Sequence, residues 1–124
     1  MAKFMSLDRL SYYHQKLMAL IKSTPQTYIS YSRNVTTADI GALLYNITAN
    51  GTNQLTIPAS VFVVGSEFMV CKWNVGAITV KGAPGVYING VVAGTVTLAD
   101  QYDVVTLKQI TTDNWLMIGK GTVA

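Results

Sequence analysis

The sequence predicts a mainly β protein: an antiparallel β-sandwich or barrel-like module preceded by one N-terminal α-helix. Apolar residues recur at helical spacing in residues 7–22. Beyond Pro25, short runs rich in Val, Ile, Thr and Tyr are separated by Gly, Asn, Asp and Pro. Turn signals there fall roughly 8–12 residues apart, the rhythm of a sandwich or barrel.

In the first element, Leu7, Leu10, His14, Leu17 and Ile21 follow a 3-4-3-4 spacing, and Tyr13, Met18 and Leu20 widen the stripe. Ser6 is the expected N-cap, and Asp8 in the first turn complements the helix dipole. Met5 and Leu10 stand where a hydrophobic staple would place them. Pro25 ends the helix, since it cannot donate a backbone hydrogen bond and restricts Thr24 before it. A helix this short is marginal alone in water, so its stripe needs a partner: the rest of the chain or copies of itself.

The remaining elements are strands near Thr27–Ser32, Leu43–Thr48, Gln54–Ile57, Glu67–Trp73, Ala77–Lys81, Val86–Ile88, Thr95–Leu98, Asp103–Ile110 and Trp115–Gly119. Ala49-Asn50-Gly51, Val64-Gly65-Ser66, Ala83-Pro84-Gly85, Asn89-Gly90, Ala99-Asp100-Gln101 and Asp113-Asn114 punctuate them. Two regions result: an N-terminal helix over 1–25 that anchors or oligomerises, and an all-β module over 26–124.

Half of the 124 residues are hydrophobic and 12% are charged, enough apolar material for a packed core. So few charges also suit a chain that buries surface in an oligomer. Residues 1–33 carry five basic side chains against one acid, whereas residues 34–124 carry four against five. The basic character belongs to the N-terminal segment. It is too sparse for a nucleic-acid footprint but suits docking on an acidic surface, with Lys3, Arg9, Lys16 and Lys22 as the docking face. No apolar run reaches the length of a membrane span, and the charged start lacks the apolar region of a signal peptide. The single cysteine, Cys71, excludes an intrachain disulfide and fits a reducing compartment.

One His and one Cys do not supply a zinc site, and the six carboxylates are too scattered for a calcium loop. Asp100 and Asp103 read as turn residues rather than a catalytic pair. His14, the only histidine, reads as a packed or register-setting residue in the helical seam and a pH-sensitive point if helices associate. Cys71 reads as a small buried hydrophobe. Gly119-Lys120-Gly121-Thr122 lacks the spacing of a phosphate loop. The run from Val80 to Gly90 reads as two tight turns around a short strand, not a ligand cradle. Trp73, Tyr87, Tyr102 and Trp115 are the aromatics that could stack a sugar. Trp115 is expected in the core, and Tyr87, between two turns, is the candidate ligand contact.

The order of motifs in the β region is informative. Thr36-Thr37-Ala38-Asp39-Ile40-Gly41 precedes Leu55-Thr56-Ile57-Pro58-Ala59, and Val64-Gly65 precedes an apolar strand. Gly76-Ala77-Ile78-Thr79-Val80 and Gly85-Val86-Tyr87-Ile88-Asn89-Gly90 follow. Gln101-Tyr102-Asp103-Val104-Val105-Thr106-Leu107-Lys108 and Asn114-Trp115-Leu116-Met117-Ile118-Gly119 close the series. Over roughly residues 35–121 this resembles a β module that recurs in tailed-bacteriophage virion proteins, especially tail-fibre and related appendage proteins. The N-terminal Phe4-Met5-Ser6-Leu7-Asp8 and helix are similar to short leader helices of such proteins. Fibre subunits with this module are usually longer, so the short chain points to a short head fibre or capsid decoration protein. The resemblance implies a non-enzymatic virion component without a cofactor, a homotrimer bound to other virion proteins. It would be made in the host cytoplasm and carried on the particle, with no nucleic-acid partner and no membrane insertion. The alternative is a lectin-like knob that binds a host-surface glycan.

Overall fold

The computed structural model describes residues 24–124, and the β character expected of the region after Pro25 is what it shows. The helix expected over 7–22, with its stripe (Leu7, Leu10, His14, Leu17, Ile21) and its basic face (Lys3, Arg9, Lys16, Lys22), lies outside the described residues.

The strands are β1 (Gln26–Ile29), β2 (Arg33–Asn34), β3 (Leu43–Asn46), β4 (Thr52–Ile57), β5 (Glu67–Cys71), β6 (Ala77–Gly82), β7 (Tyr87–Ile88), β8 (Val91–Val92), β9 (Thr95–Thr97), β10 (Val104–Thr111), β11 (Asn114–Gly119) and β12 (Thr122–Val123). They form a seven-stranded sheet, ordered β1-β3-β5-β10-β11-β7-β8, and a five-stranded sheet, ordered β12-β9-β6-β4-β2.

The expected antiparallel arrangement is corrected: both sheets are mixed. From β1 to β6 the chain alternates between sheets, so β1, β3 and β5 pair in parallel in one, and β2, β4 and β6 in the other. Parallel neighbours need a crossover, usually a helix. Here each crossover carries a strand of the opposite sheet, so the path winds like a short solenoid. The winding stops after β6. β9 then pairs antiparallel with β6, β10 with β5, and β11 with β10, while β7 runs parallel to β11. The repeating half is thus closed at one end by antiparallel strands.

Period-2 alternation places the core between the sheets. Leu44, Val70, Val105 and Leu107 face inward from the seven-stranded sheet, and Leu55, Ile57, Ile78, Val80 and Val96 from the five-stranded one, all buried. Trp115 packs edge-on against Phe62 and Phe68, with ring centroids 5.5 and 5.7 Å away. Edge-to-face aromatic pairs contribute about 1 kcal/mol each beyond area burial.

Buried polar side chains tie loops to this core. Gln109 Nε2 donates to the carbonyls of Phe62 (3.0 Å) and Val63 (2.7 Å), while its Oε1 accepts the Asp113 N–H (2.9 Å). Asn46 Nδ2 donates to the Gly76 carbonyl (2.7 Å), and its Oδ1 accepts the Asn74 N–H (3.0 Å). Beside β2, Arg33 forks onto Asp39 through bonds of 2.7 and 2.9 Å. Asp39 also accepts the Thr36 N–H at 2.8 Å. Burial works against the Asp39 carboxylate, but the Arg33 fork and the Thr36 N–H outweigh it and hold its pKa below the ordinary carboxylate range.

Candidate functional site: the outer face of the seven-stranded sheet

The residues that point away from the core differ between the sheets. Across the five-stranded sheet, one row reads Gln54, Thr79, Thr97, Thr122 and the next Asn34, Thr56, Lys81, Thr95. Across the seven-stranded sheet, one row reads Gln26, Leu43, Met69, Thr106, Ile118 and the next Tyr28, Tyr45, Cys71, Val104. A third row, Glu67, Lys108, Leu116, carries the charges of this face. Lys108 Nζ lies 3.4 Å from Glu67. Ile118 is 53% and Val104 40% exposed.

The strand sequences explain the contrast. In β4, β6 and β9, Thr, Gln or Lys alternates with aliphatics, the pattern of a sheet wet on one side. In β3, β5 and β11, Leu-Leu-Tyr, Phe-Met-Val-Cys and Trp-Leu-Met-Ile are nearly continuous apolar runs. Such runs are typical of sheets covered on both faces.

At the β1 end of this face a groove of about 290 Å³ is lined by Gln26, Leu43, Tyr45, Cys71 and Trp73. Cys71 is buried, as expected. Burial first, and the nearby Asp103 charge second, push its thiol pKa up, which keeps it a protonated, unreactive thiol. Beside the groove, Trp73 and Tyr102 meet edge-on with centroids 5.5 Å apart, exposed to 55% and 61%.

Tyr87 lies on the same outer face at the far edge, where β7 pairs with β8 and β11, and is 41% exposed. Its flanking turns match the sequence reading. Val86 N–H donates to the Ala83 carbonyl at 2.9 Å across Pro84-Gly85, with Gly85 at φ 89°. Asn89 and Gly90, at φ 48° and 80°, join β7 to β8 as an Asn-Gly hairpin turn. Asn89 also grips β11, its Oδ1 accepting the Met117 N–H at 2.8 Å.

Of the four aromatics singled out in the sequence, the fold joins Trp73 to Tyr102, buries Trp115 and leaves Tyr87 apart from all three. Leu43, Tyr45, Met69, Leu116 and Ile118 were not expected as surface-forming residues. Their signal was the continuous apolar run, which reads equally well as ordinary core. Asp100 and Asp103 form a turn: the Asp103 N–H donates to the Asp100 carbonyl (3.1 Å), and Asp103 Oδ2 accepts the Asp100 N–H (3.0 Å). Among the described residues, no three His, Cys, Asp or Glu side chains gather where they could hold a metal ion. No protein-family model matches the chain, and no curated protein matches it.

Proposed function

We propose that the protein is a non-enzymatic structural component of a tailed-bacteriophage virion: a short head-fibre, decoration or tail-fibre subunit, assembled as a homotrimer. Its basic N-terminal segment attaches it to an acidic surface of the particle, and its β module is displayed outward. One observation carries the reading. The ordered motifs that resemble the phage appendage module fall on successive strands and turns of one two-sheet unit, from β2 through β11. The test is mass spectrometry and antibody-labelled electron microscopy of purified particles, with light scattering of the isolated protein. The protein should be present on particles, be released by raised salt because exposed charge contacts are screened, and scatter as a trimer. A stable monomer absent from particles would overturn the reading.

A second reading is favoured by the Trp73–Tyr102 pair, two exposed aromatics that could stack a sugar ring: a knob that binds a host-surface glycan. It moves the expected ligand contact from Tyr87 to Trp73. In a glycan-binding screen, Trp73→Ala should abolish binding and Tyr87→Ala should preserve it; equal effects would remove this assignment.

A further inference from the structure

We propose that the amphipathic segment 7–22 lies across the outer face of the seven-stranded sheet of its own chain, with Leu10, Leu17 and Ile21 against Leu43, Met69 and Ile118. The argument starts from what that face lacks. Its strands have the composition of a sheet covered on both sides, yet the five-stranded sheet covers only one of them. Exposed apolar rows this continuous are uncommon on soluble proteins unless something docks on them.

The occupant follows from where the chain enters. The Pro25 carbonyl accepts the Leu43 N–H at 2.9 Å, which pins the start of the module to the sheet edge. Gln26, the next residue, lines the groove with Leu43. The segment before Pro25 is therefore tethered at the rim of the apolar face, at an effective concentration that no free partner matches. Its length is suitable. Sixteen residues of helix reach about 24 Å, and the five strands from β1 to β11 span about 19 Å at ordinary spacing.

The segment's two sides divide accordingly. The stripe faces the sheet, and Arg9, Lys16 and Lys22, offset from it by helical spacing, face away. The basic side thus remains available to an acidic surface while the apolar side is used within the chain. The inference does not depend on where the protein resides, so it stands or falls separately from the virion reading.

Cysteine pairing in the full-length chain tests it. With Cys71→Ser as background, Leu43→Cys or Met69→Cys is combined with Leu10→Cys, Leu17→Cys or Ile21→Cys and oxidised at low protein concentration. Disulfides form only where Cα atoms come within about 7 Å. At least one stripe position should close a disulfide within the monomer, while the controls Arg9→Cys and Lys16→Cys should not. Disulfides only between chains would assign the face to a second copy and overturn the proposal, as would stripe pairing no better than the controls. A second measurement keeps Cys71 and compares its labelling rate in the native chain and in Leu10→Asp/Leu17→Asp. The rate should rise while the module still unfolds cooperatively; an unchanged rate would overturn the proposal.

Discussion

The two outer faces of this protein are built on the same β geometry and differ in what they present. The five-stranded sheet offers threonines, Gln54, Asn34 and Lys81, which hydrogen-bond to water, whereas the seven-stranded sheet offers Leu43, Met69, Val104, Leu116 and Ile118. The inner faces of both are alike, aliphatic and buried. The difference teaches that burial in the module is shared evenly between the sheets, while any recruitment of a further element is left to one of them.

The largest effect should come from the shared interior. Leu44→Ala removes an inward side chain directly behind the apolar face and should cost about 3 kcal/mol in urea unfolding. A cost like that of an outer substitution would mean the two faces of this sheet are not distinct. Next comes the edge of the polar sheet. Arg33→Ala strands the buried Asp39 carboxylate and should cost about 2 kcal/mol near neutral pH. Because folding lowers the Asp39 pKa, its stabilisation is present above the ordinary carboxylate range and is lost as pH falls through the folded value. Native protein should therefore lose this contribution below about pH 4. Acid titrations of native and Arg33→Ala protein should converge there.

The direct comparison of outer faces is Met69→Lys against Thr79→Lys. With the segment docked as proposed, Met69→Lys should cost about 1–2 kcal/mol, whereas Thr79→Lys should stay within about 0.5 kcal/mol. Equal, small effects in thermal unfolding would mean that neither face is covered. Smallest of all is Lys108→Ala. Both partners of the Lys108–Glu67 pair are well exposed, so its loss should cost under about 0.5 kcal/mol.

Much of the fold was legible. All nine strands expected from alternation and turn signals overlap observed ones, and Pro84-Gly85 and Asn89-Gly90 make the turns their chemistry requires. β2, β8 and β12 were missed because two residues cannot display a period. Pairing direction was missed for another reason: alternation says which side chains share a face, not which way the neighbouring strand runs. At the site, Trp73 and Tyr102 stood out as aromatics, but nothing local joins residues almost thirty apart in the chain.

What the sequence by itself determined is local: where strands run, where the chain turns, and which residues in each strand point the same way. These follow from side-chain volume, backbone freedom at glycine, and the two-residue period of a strand. Only the tertiary structure decided that consecutive strands alternate between sheets, that Trp73 meets Tyr102, and that the continuous apolar strands gather in one sheet with an outer face of their own. Those outcomes depend on contacts between distant residues, where the entropy of closing each loop is offset by the burial it permits, and no short stretch of sequence contains both sides of that balance.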